Sequence, residues 1–137
     1  MTLVDTNVIA DILSSGSEWQ AWSIERLEEC RSKGLVSTNE IVFAELSARL
    51  SSEADVQRVL DNLGIAFARI PAAGLFAAGQ VYRKYRAAGG SRSSVLPDFF
   101  IGAHARVTDA SPGNCPQTTR RGCRPRTPGC ALRRSIA

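Results

Sequence analysis

All 13 acidic residues of this 137-residue chain lie at or before Asp109, while the stretch from Cys115 onward carries six arginines and no acid. That break limits which part of the chain can build a folded body. Before Cys115 there are 11 Lys and Arg against 13 Asp and Glu, a net of −2. The overall charge of +4 and the pI near 9.2 therefore belong to the tail. Three of the four Cys and four of the six Pro also lie beyond residue 110. A basic, Pro-rich segment with few large apolar side chains cannot offset the entropy of ordering. The composition predicts one folded domain over residues 1–110 and a disordered Arg/Pro/Cys-rich tail over residues 111–137.

A chain that is 44% hydrophobic and 22% charged has the makings of a core, and its length removes the need for disulfides or a structural metal. No apolar run approaches the about 20 residues that span a bilayer, so no membrane association is expected. Met1, Thr2, Leu3, Val4 and Asp5 lack the basic and apolar regions of a signal peptide. A cytoplasmic protein with reduced thiols is the expectation.

Thr2, Leu3 and Val4 form a short apolar run ending at Asp5, which reads as a buried strand. Thr6 and Asn7 open a helix over residues 8–13, stopped by Ser14, Ser15 and Gly16. Residues 17–33 read as an amphipathic helix with Trp19, Trp22, Leu27 and Cys30 on its apolar face, closed by Gly34. A second strand follows over residues 35–37. Ser37 and Glu40 have capping-box spacing before a helix over residues 41–50. A helix over residues 53–63 ends at Gly64, and a third strand over residues 65–70 is closed by Pro71. Residues 72–88 are helical, with Leu75, Phe76, Val81 and Tyr85 as apolar candidates. After a polar turn over residues 89–94, Pro97 precedes a helix over residues 98–107. Short strands alternating with helices predict an α/β fold with a parallel sheet. There is no internal repeat, and neither GxGxxG nor GxxxxGK[ST] occurs, which weighs against a dinucleotide or P-loop site.

Ligands of α/β sheets gather at the carboxyl ends of the strands. Asp5 sits at such an end, Asp98 begins a helix after a turn, and Glu45 lies inside the apolar stretch Ile41-Val42-Phe43-Ala44-Glu45-Leu46. Each has a structural reading too: Asp5 as a helix cap, Asp98 as an N-cap after Pro97, Glu45 as a solvated helix residue. Together, three carboxylates at element ends of a small domain suggest a site for a hard cation, Mg²⁺ or Mn²⁺, completed by water and a phosphate.

Val4-Asp5-Thr6-Asn7-Val8 resembles the opening strand of PIN-domain nucleases. The stretch Ser37-Thr38-Asn39-Glu40-Ile41-Val42-Phe43-Ala44-Glu45-Leu46 looks like their second motif, whose acid would be Glu45 and not Glu40. Pro97-Asp98-Phe99-Phe100-Ile101-Gly102-Ala103-His104-Ala105 looks like their third. The pattern is most similar to the VapC-type ribonuclease toxins of toxin–antitoxin pairs. The resemblance covers residues 1 to about 110 and implies a PIN-like sandwich with a short parallel sheet flanked by helices. It implies a Mg²⁺- or Mn²⁺-dependent endoribonuclease in which Asp5, Glu45 and Asp98 are catalytic and Asp5 and Asp98 hold the metal. It also implies an antitoxin partner, an RNA substrate and a homodimer. Clustered carboxylates around a metal need no His or Ser nucleophile, so the lone His104 reads as a packing residue. Thr6 and Asn7 either cap the first helix or orient Asp5. Tyr82-Arg83-Lys84-Tyr85-Arg86, followed by Arg92, is either a solvated helix face or a set of phosphate contacts to RNA. Trp19 and Trp22 read as core or, in such a family, as part of the groove that receives the antitoxin.

The chain departs from the family at its end. PIN nucleases of this type continue with a strand and a Thr-x-Asp turn bearing a further acid. This chain has Ser111-Pro112-Gly113-Asn114-Cys115-Pro116-Gln117-Thr118-Thr119-Arg120-Arg121 and no strand pattern, so the last strands are expected to be missing. Asp109 stands too early to be that acid. The codons permitted by residues 114–121, read from one nucleotide upstream, allow Leu-(Pro/Ser)-Thr-(Asn/Asp)-Asp, which suggests a frameshifted C-terminus. Zinc fits poorly, because Cys115, Cys123 and Cys130 are separated by seven and six residues with no fourth ligand. Two readings without catalysis remain beside the nuclease: a PIN remnant that binds only antitoxin or RNA, and a nucleic-acid binder acting through its basic tail.

Overall fold

The structure, a computed structural model, describes residues 1–112. Four short strands make one parallel sheet: β1 (Thr2–Leu3), β2 (Val36–Thr38), β3 (Ala66–Phe67) and β4 (Ser111–Pro112), in the order β3-β2-β1-β4. Thr2 pairs with Val36 on one side and Ser111 on the other, and Leu3 pairs with Ser37 and Pro112. Parallel neighbours cannot be joined by a hairpin, so every connection crosses over through helices. Helices α1 (Thr6–Leu13) and α2 (Gln20–Lys33) lie between β1 and β2. Helices α3 (Glu40–Ser47) and α4 (Glu53–Leu63) lie between β2 and β3, and α5 (Ala72–Ala87) and α6 (Pro97–Val107) between β3 and β4. This is the α/β architecture read from the alternation of strands and helices.

Adjacent strand residues face opposite sides of a sheet, and the core divides accordingly. Val4 belongs to the larger cluster with Ile9, Val36, Leu46, Val56 and Leu60. Leu3 belongs to a smaller one with Ala105 and Ala110. Beyond residue 110 the structure corrects the sequence reading, because Ser111–Pro112 forms a strand beside β1. Pro112 lacks an N–H for a second ladder, which an edge strand tolerates. Asp109 closes α6 in the left-handed region (φ 51°), where Asp is among the residues that fit. The tail's expected disorder, its cysteine spacing and the shifted reading frame concern residues 113–137 and lie outside the described residues.

Three local readings change. Ser37 is buried within β2 and does not cap α3. The cap is Asn39, whose Oδ1 accepts from the N–H groups of Ile41 (3.1 Å) and Val42 (3.2 Å). Glu40 turns away instead, and its carboxylate accepts from the Ile70 N–H (2.9 Å), pinning the segment that follows β3. Helix α5 buries Gly74 and Ala78, whereas Leu75 and Phe76 are 48% and 69% exposed. The reason is close packing. A Cβ on Gly74 would lie 3.1 Å from Ile70 Cγ2 and 3.3 Å from Val107 Cγ2, so only the small-residue face of α5 fits against α6. Trp19 and Trp22 are half-buried rather than core, and they pack edge-to-face at 6.1 Å.

His104 is 1% exposed and its Nδ1 lies 3.3 Å from Asn39 Nδ2. Capping fixes the Asn39 oxygen toward the α3 N–H groups, so the amide nitrogen must donate to His104. Nδ1 is then the acceptor, and the ring is the neutral tautomer with its proton on Nε2. Burial holds the His104 pKa below the ordinary value, against the opposing pull of Glu40. The unfolded chain therefore binds the proton more readily, and the stability that depends on neutral His104 is complete above about pH 6.5 and lost as pH falls below it. Urea melts at pH 7.5 and 5.5 check this, with the lower midpoint expected at pH 5.5. Asn39→Ala removes the cap and leaves His104 Nδ1 unpaired, at a cost of about 2 kcal/mol in the same melts.

Candidate active site

The strand order reverses at β1. The chain leaves β1 to add β2 and β3 on one side, and later adds β4 on the other. A parallel sheet opens a crevice at the carboxyl ends of its strands where the order reverses. Asp5 stands just beyond the end of β1, at the N-cap position of α1 with extended backbone (φ −84°, ψ 157°). Asp98 comes from the other half of the chain, in the first turn of α6, the helix that leads to β4. Pro97 at the first helical position has no N–H to satisfy and a φ suited to the helix. The cap residue is Leu96, so Asp98 is not an N-cap, and its charge at this end is favoured by the helix dipole.

The two carboxylates, 93 positions apart in the sequence, sense each other. Burial raises the Asp5 pKa above its usual value, and the negative charge of Asp98 pushes it the same way. The Asn7 amide opposes this by donating from Nδ2 to Asp5 Oδ2 at 3.2 Å. The N–H groups of Thr6 and Asn7 also lower it, without forming a capping hydrogen bond. Burial and like charge thus burden a carboxylate that local dipoles only partly relieve.

Glu45 reaches the same region from α3. It is half-buried, and its Oε2 accepts a hydrogen bond from the Thr6 hydroxyl. Thr6 is 5% exposed and directly follows Asp5. Its hydroxyl serves Glu45 while the Asn7 amide serves Asp5, so neither side chain caps α1. This tie joins residues 39 positions apart, and no spacing rule in the sequence announces it. Glu40 is engaged with Ile70 and stays outside the group. His104 lies in the interior beside Asn39.

The basic cluster divides. Arg83 and Lys84 are exposed on α5, and the Arg92 side chain is exposed beyond it. Arg86 is also exposed, but its Nη1 donates to the carbonyls of Gly90 (2.9 Å) and Arg92 (3.2 Å). The Tyr82 hydroxyl donates to the same Arg92 carbonyl at 3.2 Å.

The model of the PIN domain matches residues 2–111. The chain belongs to the PIN-domain family. Among solved structures it is similar to a chain in the crystal structure of VapBC2 from Rickettsia felis bound to a DNA fragment from their promoter. That match has a TM-score of 0.60 and 18% identity, and covers 80% of this chain and 83% of that one. No curated protein matches the chain.

In this PIN domain no three His, Cys, Asp or Glu side chains among the described residues are grouped to hold a metal ion. The pair Asp5 and Asp98 nevertheless fits a hard cation. Both donors are carboxylate oxygens, and their mutual repulsion is what a divalent ion would relieve. Mg²⁺ commonly takes only one or two carboxylates, leaving its other positions to water and phosphate. No helix among the described residues is long and apolar enough to cross a membrane.

The Thr6–Glu45 tie is open to a double-mutant cycle. Thr6→Val and Glu45→Ala, alone and combined, should show a coupling of about 1.5 kcal/mol in urea denaturation, the range of hydrogen bonds to charged groups. Additive effects would show that the hydroxyl does not hold the carboxylate.

Proposed function

We propose that this PIN domain is a metal-dependent endoribonuclease, the toxin of a VapC-type toxin–antitoxin pair. The observation that carries this reading is the Asp5–Asp98 pair at the strand-order reversal, with Glu45 tethered beside it through Thr6. Asp5 and Asp98 supply the oxygen donors for Mg²⁺ or Mn²⁺. When bound, such an ion supplies charge neutralisation at a scissile phosphate and a more acidic water. Glu45 has one oxygen held by Thr6 and keeps the other to accept a proton from, or orient, the attacking water. Asn7 donates to Asp5, which favours its ionised form against the effect of burial and holds it in place. Arg83, Lys84 and Arg92, exposed near the loop before α6, meet the RNA backbone through charge.

Two features support the partner. The family resemblance of the three motifs is to toxins that bind an antitoxin, and the similar solved structure is a VapBC complex. The half-buried Trp19 and Trp22 at the N-terminal end of α2, with Arg26 stacked 5.8 Å over Trp22, offer aromatic surface for such a partner. The homodimer and a cytoplasmic location belong to the same proposal.

The test is cleavage of a mixed RNA substrate by the full chain with Mg²⁺ and with EDTA. Cleavage is expected with Mg²⁺ alone. Asp5→Asn and Asp98→Asn preserve shape and remove charge, and each should reduce the rate by about a hundredfold or more, since a catalytic metal contributes several kcal/mol. Asn39→Ala should reduce stability far more than rate per folded molecule. A folded chain that binds antitoxin yet cleaves no RNA would establish the second reading, a PIN remnant without catalysis, for which the absence of any acid after Asp109 is the motivating observation.

A further inference from the structure

The first turn of α6 has little core beneath it. Asp98 is exposed, and the eight residues between α5 and the Leu96 cap form no regular structure. Something must hold this turn if Asp98 is to keep its place against Asp5. The last turns of α5 do so through five contacts. Arg86 Nη1 donates to the carbonyls of Gly90 and Arg92, at 2.9 and 3.2 Å. The Tyr82 hydroxyl donates to the Arg92 carbonyl at 3.2 Å. The Gly90 N–H donates to the Tyr85 carbonyl at 2.9 Å. The Tyr85 ring packs edge-on against Phe99, the residue after Asp98, with centroids 5.7 Å apart.

Gly90 is what lets this arrangement close. A Cβ at that position would come 2.2 Å from Tyr85 Cε1 and 2.3 Å from Cζ, so the loop backbone lies directly on the ring. Tyr85 is therefore confined by the loop, by the Tyr82 ring stacked at 6.5 Å, and by Phe99. Among the described residues, its ring and not its hydroxyl makes these contacts.

We infer that Tyr85 and Arg86 are positioning residues for Asp98: the ring fixes the first turn of α6 through Phe99, and the guanidinium ties down the loop that feeds it. This rests on the reading of Asp98 as a metal ligand. Residues that orient a ligand without touching the metal commonly change metal affinity by 10- to 100-fold.

The experiment uses the full chain and two readouts. One is Mn²⁺ affinity, measured by electron paramagnetic resonance of the free ion. The other is amide hydrogen exchange across residues 97–102, with folding verified by circular dichroism. Gly90→Ala drives a methyl into the Tyr85 ring, and Arg86→Ala removes the loop tie. Each should weaken Mn²⁺ binding by about tenfold and speed exchange in the first turn of α6, leaving α3 and α4 unchanged. Tyr85→Phe keeps the ring and should match the wild type in both, and Arg86→Lys should recover part of the loss. Unchanged affinity in Gly90→Ala and Arg86→Ala, beside a wild type that binds Mn²⁺, overturns the positioning role alone. Exchange that speeds everywhere also overturns it, since the effect would be general loosening. A wild type that binds no Mn²⁺ overturns the metal site and this inference with it.

Discussion

The backbone ladder on both sides of β1 is the constraint from which the rest follows. Two residues, Thr2 and Leu3, pair in parallel with β2 and with β4. Because both neighbours are parallel, all three carboxyl ends fall along one edge. Because one neighbour follows β1 early in the sequence and the other late, the chain crosses over in both directions from that central strand. Everything chemically notable is a consequence. Asp5 must stand in the crevice, since it is where β1 ends. Helix α3 must start at the same edge, since it follows β2 directly, and so Glu45 approaches Thr6. Helix α6 descends to β4 and brings Asp98 from the far side.

Such short strands make a weak ladder by themselves, and the helices supply the remaining stability. Val36, Val42, Leu46, Val56 and Leu60 are essentially inaccessible to water, and burial of such side chains contributes about 1.5–3 kcal/mol each. Polar groups close the seams where apolar contact runs out. The Asn39–His104 bond joins the start of α3 to the middle of α6, and the Glu40–Ile70 bond joins α3 to the approach of α5. The same two helices carry Glu45 and Asp98. The helices that carry the site are thus tied in part from outside it, by polar links whose loss costs more than their formation contributes.

The sequence shows the fold well wherever the signal is local. The alternation of short apolar runs with helices is a property of neighbouring residues, and so is the stop at Gly64, whose φ of 64° closes α4. The reading falters where distant residues decide. Ser37 and Glu40 match a capping box by spacing, yet β2 pairing buries Ser37 and Ile70 claims Glu40. Leu75 and Phe76 look like core on a helical wheel, yet α6 comes so close that Gly74 and Ala78 take the interface. Ser111–Pro112 carries no periodicity, because two residues cannot show one, and only its partners Thr2 and Leu3 make it a strand. In the candidate site, the motifs nominate Asp5, Glu45 and Asp98 as candidates. The Asn7–Asp5 contact spans two positions and is one of the readings the sequence offers, whereas the Thr6–Glu45 tie joins residues 39 positions apart and is not legible there.

Glu40 and Glu45 show why motif and geometry are both needed. They lie five residues apart on one helix, and five residues is a turn and a half, so they project to different sides. Glu40, in the first turn, meets the N–H of a segment that has no strand partner and becomes part of the frame. Glu45 projects toward the end of β1, where the nearest donor is a hydroxyl beside another carboxylate. One oxygen of Glu45 is committed to Thr6, and its position is thereby set relative to Asp5 instead of to solvent. Two chemically identical side chains take different places because the segment after β3 supplies a backbone amide to one and the start of α1 a hydroxyl to the other. The negative charge that burial and Asp98 make unfavourable at Asp5 is the feature on which the proposed cation site rests.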